Sequence, residues 1–308
     1  MKKVSDYLGL TPLDVNEEES KFIHVNGRYI GIEKELESMK LFSIPETEYW
    51  NIDEDGSLRN YGIELKFRKP FKNNGIIIAL KELNWLFENF FKEPTHSIRT
   101  SEHFHVNIRD FTIEELISLH TNLMVLEQTL FNFGKIKFDR KHNTYCMPHW
   151  IYFSEYQFAT PKYFDEYFEL PKYLSTGFNR QFGTVEFRMF ESITKISEIL
   201  QRVNVLLELV EYSKTLTYSG GELAKFCRKL LPKSYKYIVQ YIQESPKIER
   251  IKPVTLKSSY SNRLHKSLNK GIPLSPQPIK KESISDIYQE LLWSIPSPPT
   301  AFTTITEE

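Results

Sequence analysis

Four short segments of this chain alternate apolar side chains with acid, imidazole or guanidinium groups, and that period of two constrains the fold more than any other feature. Side chains alternate across a strand, so Glu33, Glu35 and Glu37 share one face of Gly31–Glu37. Glu64 sits between Ile63 and Leu65, and His103 and His105 share a face of the segment 102–107. Glu186 and Arg188 share a face of 183–190, opposite Val185, Phe187 and Met189. Each pattern alone has an ordinary reading: a Glu-x-Glu-x-Glu strand is usually solvated, an H-x-H pair recurs by chance, and Glu186 and Arg188 make a salt bridge. Together they predict one sheet with helices on its apolar side. Its other side is then a trough lined by Glu33, Glu35, Glu64, His105, Glu186 and Arg188. So many carboxylates repel one another unless cations join them, and carboxylate oxygens suit Mg²⁺ or Mn²⁺, which in turn hold polyphosphate. The chain has only 12 glycines and neither G-x-G-x-x-G nor G-x-x-x-x-G-K-[ST], so a nucleotide would be held without a glycine-rich loop.

The remaining segments read as an α+β domain with a mainly antiparallel sheet, because strands and helices follow one another irregularly. Residues 21–37 are predicted to form a β-hairpin around Asn26-Gly27. Residues 49–52 and 61–67 are predicted strands joined through Asp55-Gly56-Ser57, and 103–108 and 184–190 two more. Helices are expected over 76–91, from the capping box Thr112–Glu115 to about 133, over 193–216, 221–231 and 233–244.

Charge divides the chain. Residues 225–281 carry fourteen Lys or Arg against Glu244 and Glu249, while 282–308 carry five acids and no base. Half of the sixteen prolines lie from Pro246 onward. The expected organisation is an N-terminal extension (1–20), a compact core (21–245) and an extended, basic Pro/Ser-rich tail (246–308) with one short helix at 283–292. The basic stretch 225–281 suits an acidic partner or nucleic acid, or is a solvated linker. No apolar run approaches a membrane span, the opening residues lack a signal-peptide pattern, and two cysteines form no framework, so a cytoplasmic setting without membrane contact is expected.

The ordered set G-I-E-K-E (31–35), D-G-S-L…G-I-E-L (55–65), H-F-H-V (103–106), R-K-H-N-T-Y-C (140–146) and N-R-Q-F-G-T-V-E-F-R-M-F (179–190) resembles the amidoligases of the glutamine synthetase and glutamate–cysteine ligase superfamily. The match runs from about residue 28 to 215. The resemblance implies an antiparallel sheet curved into a funnel with ATP and metal ions at its floor, where ATP phosphorylates a carboxylate and an amine displaces phosphate to give an amide. It implies Glu33, Glu35, Glu64, His105 and Glu186 as metal ligands, and His103, His105, Arg188 and Asn179 as nucleotide contacts. Glu64, Arg188 and Arg140 are its catalytic candidates, with Glu37, Asp55 or Glu64 as proton acceptor. The acid and amine would be amino acids, peptides or protein side chains. Family members usually carry glycine and small residues before the histidines, so Glu102 is expected to add bulk and charge beside the site.

Two rivals stand beside this reading. The same sheet supports guanidino kinases, and a non-catalytic binding or virion-associated protein would act through its basic tail. Cys146, with His142 and His149 nearby, invites a nucleophile or a zinc site shared with His103 and His105, but its sequence setting is that of a small buried thiol, as is that of Cys227. The aromatic cluster at 150–168 reads as core or flap.

Overall fold

A computed structural model describes residues 1–243 except 12, 14–15, 38–44, 60–61, 92–93, 95 and 157–160. The chain divides into two units, Met1–Val254 and Thr255–Glu308. The tail from 246, with the helix expected at 283–292, lies outside the described residues, as does the basic stretch beyond residue 243.

Six strands form one sheet that does not close on itself: β1 (Ile30–Leu36), β2 (Trp50–Glu54), β3 (Ile63–Phe67), β4 (Ser101–Asn107), β5 (Thr176–Asn179) and β6 (Thr184–Glu191). Their order is β2-β3-β1-β4-β6-β5, and every neighbouring pair is antiparallel. Ile30, Ile32, Leu36, Ile63, Leu65, Phe104, Val106, Val185 and Phe187 are buried on one face. Helices α3 (Ile113–Gly134) and α6 (Ile196–Tyr212) pack on that face, and α2 (Asn73–Asn89) packs beside α6. Trp50 donates its indole N–H to the carbonyl of Ala79 at 2.8 Å, pinning β2 to α2. The capping box of α3 forms as expected: Thr112 Oγ1 accepts from the N–H of Glu115, whose carboxylate accepts from the N–H of Thr112.

The hairpin expected over 21–37 is not formed. Only Ile30–Leu36 is a strand, and residues 21–28 are turns and loop. The reason is competition for backbone groups. β1 is a central strand whose two edges are occupied by β3 and β4. The amide of His24 and the carbonyl of Phe22 are bonded to the side chain of Asn204 on α6, and the amide of Gly27, at φ 93°, to Asn73. The first residues belong to the core: α1 (Val4–Leu8) buries Val4, whose amide bonds to Phe111. Three further elements carry no strong periodicity in the sequence: β5, α4 (His149–Tyr156) and α5 (Phe164–Phe168). Tyr7 of α1 stacks on Phe164 and Phe168, and Tyr167 is buried, so these members of the aromatic cluster are packing surface, while Tyr163 is exposed. Helix α7 (Leu223–Leu230), helix α8 (Tyr235–Ile238) and a 3₁₀ turn at Val239–Tyr241 complete the order, so among the described residues the helix expected over 233–244 is formed only over its first half. No helix among the described residues is long and apolar enough to cross a membrane.

Candidate functional site

The face of the sheet opposite α3 and α6, called the uncovered face because no helix of the described residues packs across its acids, carries the acids and imidazoles. Register brings them together: Glu33 lies opposite His103, Glu35 opposite Glu64, and His105 opposite Glu186. Gly31, the partner of His105 on β1, leaves that stretch of strand without a side chain. A β-bulge between Glu102 and Phe104, where β4 meets β6, re-aims this part of the sheet.

At the centre, Glu33 Oε1 is 3.4 Å from His105 Nε2, and Glu33 Oε2 is 3.5 Å from His103 Nδ1. Glu186 Oε1 lies 3.6 Å from His103 Nδ1 and 3.9 Å from His105 Nε2. One ligand atom each from Glu33, His105 and Glu186 fall within 4.8 Å of one another, the one such group among the described residues. Glu186 is also paired with Arg188 Nη1, and Arg188 Nε donates to the carbonyl of Tyr145 at 3.2 Å.

The electrostatics follow from this packing. Burial opposes ionisation of Glu33, yet the adjoining His103 and His105 outweigh it and hold the carboxyl well below the usual carboxylate range. Burial likewise disfavours charge on His105, but Glu33 and Glu186 prevail and raise it above an ordinary imidazole. His103, more deeply enclosed and facing Arg188, is pushed the other way. Burial raises Glu64, assisted by the charges of Glu33 and Glu35 and resisted by Lys66.

The donor set suits a divalent cation. His105 Nε2 is buried between two carboxylates with no hydrogen-bond partner, an orphaned ligand atom of the kind a metal would satisfy. Two carboxylates suit Mg²⁺ or Mn²⁺, and the single imidazole nitrogen beside them also admits softer divalent ions. The structure draws Glu33, His103, His105, Glu186 and Arg188 into one centre. Glu35 stands at its side, its Oε2 accepting from Ser101 N–H at 2.7 Å and from Ser101 Oγ at 2.5 Å. Glu64 is farther along, paired with Lys66 at 2.6 Å. Arg140 and Asn179 are engaged in local structure. Arg140 Nη1 donates to the carbonyls of Ile98 and Thr100, and the Asn179 side chain accepts from Phe182 N–H in the turn before Gly183, whose φ of 60° glycine accommodates readily.

Glu102 departs from expectation. It points away from the site, to the helix-covered face, and meets Lys34 Nζ at 2.7 Å and Arg202 Nη1 at 2.8 Å. Strand alternation explains this: Glu102 is one residue from His103, and Lys34 one residue from Glu33. The zinc arrangement does not form among the described residues. Cys146 is fully buried, with its thiol pushed up to about 12, and His149 Nε2 lies 2.8 Å from the carbonyl of Thr176; the His142 side chain is outside the described set. Ser101 and Lys66 were not singled out from sequence, though each stands two residues from a chosen one on the same strand face. Ser101 Oγ, 2.8 Å from His103 Nε2, links Glu35 to the imidazole. The chain matches no family model and no curated protein.

Proposed function

We propose that this chain is an ATP-dependent carboxylate–amine ligase whose metal and phosphate site is the uncovered face of the sheet. The observation that supports the reading best is the convergence of Glu33, His105 and Glu186 within 4.8 Å, beside Arg188, on an antiparallel sheet backed by helices. Glu33, His105 and Glu186 would hold Mg²⁺ or Mn²⁺, with Glu35 and Glu64 on the same face. When bound, the metal neutralises polyphosphate charge, the main requirement of phosphoryl transfer.

The chain's own groups supply the rest. Arg188 provides a fixed guanidinium for phosphate oxygens as a substrate carboxylate takes the γ-phosphoryl group from ATP and releases ADP. An amine then attacks the acyl carbon, phosphate leaves with the electrons of the C–O bond, and the amine's proton passes to a carboxylate. Of the three carboxylates considered for that proton, Glu37 already accepts from Arg59 N–H and Asp55 from Ser57 N–H. Among the described residues Glu64 accepts only from the mobile ammonium of Lys66 rather than from a backbone N–H, and it shares the face of Glu33 and Glu35, so we assign the role to it. His103, bridged to Glu35 through Ser101, orients the strand-borne acids.

The test is isothermal titration of ATP with and without Mg²⁺, on the wild type and on Glu33→Gln. Binding that requires the metal and is lost in a folded Glu33→Gln protein is the expected result, followed by a search among acids and amines for ADP release. A wild type that binds no ATP in either condition refutes the proposal.

A further inference from the structure

Two tyrosines flank Arg188 and are used by nothing described so far. Tyr145 is 60% exposed and Tyr173 is 41% exposed. Their rings meet edge to face, with centroids 5.2 Å apart and planes at 83°. The Arg188 guanidinium lies 5.7 Å from the Tyr173 ring centre, and its Nε is bonded to the carbonyl of Tyr145.

Their exposure is imposed by the chain around them. Cys146, next to Tyr145, and Leu174, next to Tyr173, are both fully buried. The two segments are tied to each other by Met147 N–H to the carbonyl of Tyr173 at 2.7 Å and Ser175 N–H to the carbonyl of Met147 at 2.8 Å. Asn143 fixes the other side, accepting from Tyr145 N–H at 2.8 Å. With both neighbours anchored in the core, the rings are presented outward on a braced backbone. Isolated exposed aromatics are commonplace. A braced pair touching the one guanidinium assigned to phosphate is a platform at a fixed distance from it.

We infer that Tyr145 and Tyr173 form the stacking site for the base of the bound nucleotide, an assignment that rests on the nucleotide reading above. With the Tyr173 ring centre 5.7 Å from the Arg188 guanidinium, the pair lies within reach of the base of a nucleotide whose phosphates contact that guanidinium, and aromatic faces stack any base without needing to read its edge. Phe182, the other exposed ring of the site, stands edge-on to the His105 imidazole at 6.4 Å and 89°.

The experiment compares titrations of Mg²⁺–ATP and Mg²⁺–tripolyphosphate on the wild type, Tyr145→Ala, Tyr173→Ala and Tyr173→Phe, with circular dichroism to establish folding. Affinity for ATP is expected to fall about tenfold in each alanine variant, while tripolyphosphate, which has no base, binds as before and Tyr173→Phe keeps wild-type affinity. Unchanged ATP affinity in both alanine variants overturns the inference. So does an equal fall for both ligands, which would make the tyrosines supports for Arg188. A wild type that binds tripolyphosphate as tightly as ATP overturns the stacking site alone; one that binds neither overturns the nucleotide reading with it.

Discussion

The two faces of the sheet both carry charge, and they treat it differently. On the helix-covered face, Lys34, Glu102 and Arg202 are enclosed, with N–O distances of 2.7 and 2.8 Å. Arg202 also donates to the carbonyls of Glu191 and Gly134, so this face spends its donors on fixed partners. On the opposite face, the contacts among Glu33, Glu186, His103 and His105 run from 3.4 to 3.9 Å, with Arg188 closely paired to Glu186 alone. Buried charge is tolerated only when fully paired, and the longer contacts around the half-buried Glu33 leave its cluster capacity for another cation. Identical strands therefore build a structural ion triad on one side and a candidate binding site on the other.

The largest expected effect breaks the covered face. Glu102→Ala leaves Lys34 and Arg202 buried without their counter-charge and should cost about 3–5 kcal/mol. Urea unfolding measures it, and a loss below about 1 kcal/mol would erase the contrast between the faces.

Next comes Glu127, on the covered side in α3. Burial drives its carboxyl up to about 7, against hydrogen bonds from Ser175, His149 and Trp150. The folded group thus keeps its proton between about 4.5, its ordinary value, and about 7, where the unfolded group has released it. The native state binds more protons there, so this contribution to stability falls as pH rises through the window. His149, which burial pushes down to about 4, acts in the opposite direction below its ordinary value of 6.5. Glu127→Gln deletes only the first effect. Its stability relative to wild type should climb by roughly 2–3 kcal/mol between pH 4.5 and 7, read from urea midpoints across that range. A flat difference would show that Glu127 is ionised when folded.

The smallest effect belongs to the uncovered face. Lys66→Ala, which removes the partner of Glu64 at the edge of the cluster, should change folding stability by about 0.5 kcal/mol. Thermal unfolding checks it, and a loss of several kcal/mol would make the Glu64–Lys66 pair part of the structural ion network rather than of the site.

Local patterns were readable where a residue's neighbours in sequence settle its state. The alternation of Ser101–Asn107 and Thr184–Glu191 and the capping box at Thr112–Glu115 all correspond to elements of the structure. β5 was not readable, because Thr176-Gly-Phe-Asn is too short to show a period. The segment 21–28 misled for the opposite reason: it alternates, but Asn204 and Asn73, 46 to 182 residues away, take its backbone groups. Glu102 misled because proximity in sequence to His103 was taken for proximity in space, when one step along a strand reverses the side.

What the sequence determined by itself is which residues share a face: Glu33 with Glu35, His103 with His105, Glu186 with Arg188. That follows from covalent geometry, since the strand period is local. Tertiary structure alone decided which faces meet. The order β3-β1-β4-β6, with Glu33 across from His103 and His105 across from Glu186, depends on register between strands far apart in the chain. Register is set by packing of the whole apolar face against α3 and α6.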